Sequence, residues 1–272
     1  NKKENIKMSS MAILLNNIGN IKKENINKAH NIISNIPDKI REEMHNSFGA
    51  RAVIYSLLLK KDQHFTKQLE ILKINADNQV LLLLKKIYPI INKIDKSSIL
   101  SLIELSIPAL KQLSTRQYIN FKNNINLLVN ADYKISLFEW SLSKIIFHNL
   151  DIEFDPKNIN NKEKYGIKSL KNEINLLLSL ISYNDKNNNP KKYFDLMTKS
   201  EKLIKFSLIN NKNIKISDLD KSIIKLERLK LSDKEKLFKM ISNYIDYDEK
   251  SFKNMELIRA ISVILDCPIA LS

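Results

Sequence analysis

Three observations predict an all-α fold for this chain of 272 residues. Apolar residues recur at helical spacing along most of the sequence, whereas strict alternation over the length of a strand is hard to find. Only three glycines occur, so folds that need many tight turns or a glycine-rich phosphate loop are nearly excluded. Hydrophobic residues make up 43% of the chain and charged residues 28%, a composition typical of globular proteins rather than disordered ones. We expect about fourteen short helices in stacked antiparallel pairs, arranged as a solenoid-like array or a bundle.

Helices in the first half of the chain are separated by recognisable stop signals. Gly19 ends the first helix, Pro37 separates the second from the third, and Gly49 marks a break before an apolar segment. Pro89 is expected to kink the long helix in which it lies. The predicted helices cover residues 6–18, 23–35, 37–44, 52–59, 65–73, 78–94, 98–113, 116–131 and 137–150.

A long loop is predicted over residues 151–165, where Pro156 lies among several asparagines. This loop is the expected boundary between a helical array over residues 1–150 and a second helical unit over residues 166–272. A further break lies at residues 184–190. The helices predicted after that break cover residues 191–209, 217–229, 233–245 and 252–265.

A weak internal repeat links the two halves of the chain. In each copy the apolar members trace one face of a helix that runs into an acidic loop. A shift of 116 residues carries Phe121, Ile125, Leu128, Val129 and Asp132 onto Leu237, Ile241, Tyr244, Ile245 and Asp248.

The acidic loops offer two competing interpretations. Asp132 and Glu139 in the first copy, with Asp248 and Glu256 in the second, supply carboxylate oxygens of the kind that hard cations prefer. The loops lack the ligand ladder and the glycine of an EF-hand. Helix capping is the favoured interpretation, because a serine followed three residues later by Glu or Gln is the signature of a capping box. The predicted capping pairs are Ser114 with Gln117, Ser136 with Glu139, and Ser232 with Glu235.

No catalytic motif is recognisable in the sequence. The chain has no HExxH, no GxSxG and no phosphate loop, and its four histidines are too scattered to predict a metal site. Cys267 is the only cysteine, which excludes an internal disulfide and fits a reducing compartment. The longest apolar runs are far shorter than a membrane span. We therefore predict no catalytic residue and no cofactor in this segment.

A formal net charge of +15 raises the alternative of a lysine-mediated module for nucleic acid or anionic membrane. The basic residues are almost all lysine, with Arg41, Arg51, Arg116, Arg228 and Arg259 as the five arginines. Because arginine is the residue that reads bases and binds phosphate bidentately, its scarcity counts against specific nucleic-acid recognition.

Four stretches resemble one protein family: GARAVIYSLLL from Gly49, IELSIPALKQLS from Ile103, LVNADYKISLFEWSL from Leu128 and ELIRAISVILDCP from Glu256. They are similar to the C-terminal region of bacterial HtpX-like membrane zinc metallopeptidases, described as zinc-dependent proteases with chaperone function. The first acidic loop also resembles the helical TerB-like fold, although Tyr133 stands where that pattern usually has glycine. The TerB-like residues are Ala131, Asp132, Ile135, Ser136 and Glu139.

The resemblance implies a regulatory or partner-binding domain on the cytoplasmic side of the bacterial inner membrane. In such a family the membrane spans, the peptidase core and the zinc ligands lie upstream, so zinc is expected only in a core that this chain lacks. The implied partners are those upstream domains, protein substrates or regulators, and anionic lipid. The chain begins with Asn1 rather than methionine, which favours a piece of a longer protein. The TerB-like alternative is a stand-alone cation-binding protein that uses Asp132 and Asp248.

Overall fold

The computed structural model describes residues 34–95, 98–132, 135–155, 163–184, 189–245 and 255–266. These residues fold into twelve α-helices and contain no β-strand, which confirms the predicted all-α class. The predicted helices over 6–18 and 23–35 lie essentially outside the described residues. The described parts form two compact units, one over residues 34–155 and the other from residue 163 onward.

The N-terminal unit is built around one central helix, α2. Ala52, Val53, Ile54 and Tyr55 are four consecutive buried residues of α2, and they cover its whole circumference because each residue turns a helix by 100°. Neighbours on several sides are therefore required, and α2 packs against α1, α4, α5 and α6. The helices of this unit are α1 (Asp38–Met44), α2 (Ser47–Leu58), α3 (Phe65–Asn75), α4 (Asn78–Ile91), α5 (Ile99–Leu110), α6 (Thr115–Val129) and α7 (Leu137–Phe154).

Gly49 was expected to mark a break, and this prediction is wrong. It lies in the first turn of α2, where its backbone N–H donates to the Oδ1 atom of the capping residue Asn46 at 2.7 Å. A Cβ atom at this position would lie 2.1 Å from the carbonyl oxygen of Glu43. The glycine therefore permits the end of α1 to approach the start of α2, and its role is steric rather than helix-breaking.

Two predicted features of this unit, the end of α7 and the kink at Pro89, are compared with the structure. Helix α7 continues to Phe154, four residues into the predicted loop over 151–165, because Asp151 and Phe154 both contact Tyr118 of α6. Pro89 lies inside α4 near its end at Ile91, and the kink expected there stays a prediction.

The C-terminal unit is organised around α8. Helices α9 and α10 pack against α8, and α11 packs against α9. The backbone of residues 164–165 is hydrogen-bonded to that of residues 228 and 230, which joins the start of this unit to the segment between α10 and α11. The helices are α8 (Lys171–Tyr183), α9 (Pro190–Thr198), α10 (Ile216–Leu226), α11 (Leu231–Ile245) and α12 (Met255–Ile264), with 3-10 turns at Ile167–Leu170 and Asn211–Asn213.

The helix predicted over residues 191–209 is wrong in its second half. Helix α9 ends at Thr198, and residues 199–210 form an irregular segment that we call the strap. The backbone N–H of Ser207 donates to Asn175 Oδ1 at 3.0 Å, and that of Ile209 donates to Ser179 Oγ at 2.9 Å. These two N–H groups bind side chains of α8, so they do not form the backbone hydrogen bonds of a helix. The helical spacing of apolar residues in this segment therefore does not indicate a helix.

The repeat can be followed through the helices but not into its second loop. Phe121, Ile125, Leu128 and Val129 are buried on α6, and the equivalent Leu237 and Ile241 are buried on α11. The side chains at positions 244 and 245, and all of Asp248, lie outside the described residues. The arrangement of helices as stacked pairs stays a prediction.

The helices were also compared with the requirements of a bilayer span. Within the part of the chain that the structure describes, none combines the length and the apolar character needed to cross a membrane.

Candidate functional site

Lys60 lies between the two carboxylates that the sequence offered as cation ligands. Its Nζ atom forms an ion pair with Asp132 Oδ2 and lies 3.3 Å from Glu139 Oε1. We call these three residues the lysine–carboxylate cluster. All three side chains are largely shielded from solvent, so the cluster is an internal ion-pair network rather than an open acidic surface.

Each member of the cluster comes from a different segment of the N-terminal unit. Lys60 follows the end of α2 and Asp132 follows the end of α6, while Glu139 lies in the first turn of α7. The partners Lys60 and Asp132 are 72 residues apart in the sequence. The network therefore connects segments that local sequence patterns treat separately.

Glu139 uses its two carboxylate oxygens for different purposes. Its Oε2 atom accepts hydrogen bonds from the Ser136 backbone N–H at 2.8 Å and from Ser136 Oγ at 2.7 Å. The serine Oγ in turn accepts from the Glu139 N–H at 3.2 Å, which completes a capping box at the start of α7. Its Oε1 atom is buried without a hydrogen-bond partner and faces the Lys60 ammonium group. The positive end of the helix dipole stabilises the same negative charge.

The charge of Lys60 is favoured by its neighbours. Desolvation on its own would lower the pKa of this lysine, but the hydrogen bond to Asp132 and the coulombic attraction of Asp132 and Glu139 outweigh it, so the pKa of Lys60 is raised above its ordinary value. The ammonium group is therefore protonated at neutral pH, where it neutralises part of the charge of the two carboxylates.

Gln68 fixes the backbone that carries the cluster. This side chain of α3 is fully buried, and its Oε1 atom accepts from the Lys60 backbone N–H at 2.8 Å. Its Nε2 atom donates to the carbonyl oxygens of Leu58 and Leu128, at 3.2 and 3.0 Å. Lys67 donates to the Ala131 carbonyl at 2.5 Å. The ends of α2 and α6 are thus held together by α3 through buried hydrogen bonds.

In the cluster the cation that pairs with the two carboxylates is the ammonium group of Lys60. The lysine ammonium group takes the place in which a metal ion would bind the two carboxylates, so a divalent cation would have to displace it. Across the described ranges, no group of three or more His, Cys, Asp or Glu side chains is arranged to hold a metal ion. Asp132 and Glu139 instead connect loops and cap a helix.

The remaining predicted site residues have separate locations. Ser114 and Gln117 form a capping box at the start of α6, with the Gln117 N–H donating to Ser114 Oγ at 3.2 Å and the Ser114 N–H donating to Gln117 Oε1 at 2.9 Å. Glu256 is buried in the first turn of α12, in the C-terminal unit. Asp248 lies outside the described residues.

The predicted cap at Ser232 and Glu235 differs from the observed helix start. Helix α11 begins at Leu231, and the Lys230 carbonyl accepts the first helical hydrogen bond from the Lys234 N–H. Lys230 therefore occupies the N-cap position, and Ser232 lies inside the first turn. The intervening Asp233 accepts from the Ile167 N–H at 3.0 Å, so it bonds to the start of the neighbouring 3-10 turn.

A second polar cluster between α6 and α7 has no signal in the sequence. Asp151 Oδ1 accepts from Tyr118 Oη at 2.5 Å and from Lys122 Nζ at 2.6 Å. Lys122 also lies over the ring of Phe147, at 5.1 Å from its centroid. Burial and the bond to Asp151 raise the pKa of the Tyr118 hydroxyl. Like Lys60, these residues become partners through tertiary packing alone.

Comparison with known proteins adds no relative: no family model, no curated protein and no solved structure matches this chain.

Proposed function

We propose that this chain is a non-catalytic helical domain that regulates a membrane-bound zinc metallopeptidase or binds its substrates and partners. As the sequence resemblance implies, the domain would be attached to an HtpX-like peptidase core on the cytoplasmic side of a bacterial inner membrane. Zinc chemistry would belong to that core. Here the chain would contribute binding surfaces rather than reacting groups.

One observation carries the non-catalytic part of this proposal. Two of the carboxylates that the sequence offers as candidate cation ligands, Asp132 and Glu139, are bound to Lys60, and Glu139 also caps α7. A carboxylate that pairs with an internal ammonium group and with a helix terminus stabilises the fold. Such groups are poorly available for general acid–base chemistry or for a cation.

The first experiment measures proteolysis by the purified chain. We expect no cleavage of casein with zinc present, compared with a known zinc peptidase assayed in parallel. Cleavage that is lost on adding a chelator and restored by zinc would overturn the proposal, because it would require a complete metal centre within this chain.

A second experiment addresses the cation-binding alternative at the lysine–carboxylate cluster. A cation that binds the folded state raises the melting temperature. Because Lys60 already pairs with both carboxylates, we expect millimolar calcium or magnesium to leave the melting temperature of the chain unchanged. The Lys60→Met variant is the matched comparison, since it removes the ammonium group that pairs with both carboxylates. A calcium-dependent rise in the unaltered chain would favour the TerB-like alternative.

The attachment to a peptidase has its own test, the coding sequence upstream of Asn1. Apolar spans followed by an HExxH motif in the same reading frame would support the proposal. A start codon directly before Asn1 would contradict the attachment without changing the result expected in the casein assay.

A further inference from the structure

The strap presents an exposed leucine within a row of lysines. Leu203 is 82% exposed, so most of its apolar side chain is in contact with water. Lys202 and Lys205 flank it, and both are exposed. Further exposed lysines lie at positions 199, 212 and 215. Glu201 is the one acidic residue from 199 to 215, so this segment is strongly positive.

The exposed Leu203 lies in a segment that is bound to the rest of the C-terminal unit. The next residue, Ile204, is buried, and the Leu203 N–H donates to Glu201 Oε1 at 2.8 Å. Further along, Asn175 and Ser179 of α8 accept the backbone N–H groups of Ser207 and Ile209. Both α8 side chains are themselves buried. The strap therefore holds Leu203 outward while its neighbours are tied to the C-terminal unit.

An exposed apolar side chain flanked by exposed lysines is complementary to an anionic lipid surface. The leucine can enter the acyl boundary, where its apolar area leaves water, while the lysines reach the phosphate layer. A nucleic-acid surface would instead favour exposed aromatic rings for stacking and arginines for phosphate. Between residues 199 and 215 there is no arginine, and the one aromatic residue, Phe206, is half-buried.

We propose that the strap is a membrane-docking element, with Leu203 inserted into an anionic lipid surface and Lys202 and Lys205 bound to its headgroups. This inference is independent of the attachment to a peptidase, because it depends only on the chemistry of the strap. It adds a lipid contact to the binding surfaces of the domain and names the residues that make it.

The test is co-sedimentation of the full chain with vesicles of phosphatidylcholine alone or with a third of phosphatidylglycerol. We expect binding to the anionic vesicles that weakens as salt is added, because screening reduces the lysine contribution. Lys202→Gln with Lys205→Gln is expected to weaken binding roughly thirtyfold, about fivefold for each lysine. Leu203→Ser is expected to weaken it about tenfold, since the inserted apolar area is lost.

Matched control variants keep the same change in composition at another place. Ile74→Ser removes an apolar side chain that is also 82% exposed, and Lys85→Gln with Lys86→Gln removes two exposed lysines of α4. We expect both controls to bind within about twofold of the unaltered chain. Equal losses in the strap and control variants would overturn the proposal, because the net charge of the whole chain would then account for binding.

Insertion of residue 203 into the lipid is measured separately from electrostatic binding of the lysines, by tryptophan fluorescence. In the Leu203→Trp variant we expect a blue-shifted emission on anionic vesicles and quenching by brominated acyl chains, with no such change in Ile74→Trp. Absence of quenching at position 203 would overturn the insertion step. Tight binding to single-stranded or duplex oligonucleotides combined with no binding to vesicles would overturn the lipid assignment and favour nucleic acid.

Discussion

Lys60 illustrates how one side chain connects three parts of the N-terminal unit. Its ammonium group faces Asp132 and Glu139, and its backbone N–H is held by Gln68. Removing the charge would leave the buried Oε1 atom of Glu139, which has no hydrogen-bond partner, without its compensating cation. The loss of folding stability on such a change comes from the uncompensated carboxylate charges that stay buried, rather than from the lost contact itself.

The Lys60→Met variant is therefore expected to lower the free energy of unfolding by about 2 kcal/mol, because two shielded carboxylates lose their counter-charge. Urea unfolding at pH 7 measures this change. Lys86→Met, at an exposed position of α4, is the control and should stay within about 0.5 kcal/mol. Adding Asp132→Asn to Lys60→Met should recover part of the loss, and an additive double variant would contradict direct coupling.

Gly49 gives a second prediction at the residue level. Gly49→Ala is expected to lower the free energy of unfolding by about 1–3 kcal/mol, because the new methyl group collides with the Glu43 backbone. Gly166→Ala is the matched control, since its Cβ would meet only the Asp233 carboxylate at 3.6 Å. That control should be neutral or slightly stabilising. Equal thermal stability of the two variants would show that α1 moves away at little cost.

Helix starts show which parts of the structure a sequence can specify locally. The Ser114–Gln117 and Ser136–Glu139 boxes involve residues three positions apart, and their partners can be identified without tertiary information. The same spacing at Ser232 does not mark the start of α11, because Lys230 takes the N-cap position. Lys60 carries no comparable signal, since its partner Asp132 is brought near only by folding.

Alanine substitutions distinguish a capping serine from one inside a helix. Ser136→Ala is expected to lower the free energy of unfolding by about 1–2 kcal/mol, because the Glu139 N–H loses its acceptor and the Glu139 carboxylate loses the hydroxyl donor, although it keeps the backbone N–H of residue 136. Ser232→Ala should change it by less than about 0.5 kcal/mol, since alanine is favourable inside a helix. Denaturant titration of both variants measures the difference. A larger loss at Ser232 would restore the cap predicted there.

The whole molecule follows the all-α prediction because helical periodicity is a local property that extends over most of the chain. The roles of individual segments within that fold are less predictable. The strap has the apolar spacing of a helix but binds its backbone to Asn175 and Ser179, and α7 is lengthened by contacts to Tyr118. Both outcomes depend on residues far away in the sequence, which a window of neighbouring residues does not contain.

Stability at alkaline pH is a property of the whole fold. Burial raises the pKa of Tyr55, burial and Asp151 raise that of Tyr118, and two carboxylates raise that of Lys60 against its own desolvation. Above about pH 10 the unfolded chain loses these protons while the folded chain keeps them, so the free energy of unfolding falls as pH rises. Below that range the contribution is fully present.

We therefore expect the urea midpoint to fall progressively as the pH rises above about 10. Tyr55→Phe combined with Tyr118→Phe should make this fall shallower, because neither ring can then ionise. Each protein's urea midpoint at high pH is compared with its own midpoint at pH 7. The stability lost with the two hydroxyl hydrogen bonds is then present in both values and does not affect the difference. An unchanged slope in the double variant would show that other groups control alkaline unfolding.

The irregular first part of the strap, before its hydrogen bonds to α8 at Ser207 and Ile209, is also a candidate substrate for trypsin, which cleaves after lysine in segments that are not part of a helix. Lys199, Lys202 and Lys205 lie in such a segment, whereas the three lysines of α4 and α6 lie inside helices. Brief digestion should therefore nick the chain between α9 and α10. Anionic vesicles should slow those cuts selectively, so that the protected sites would mark the surface that we propose to contact lipid.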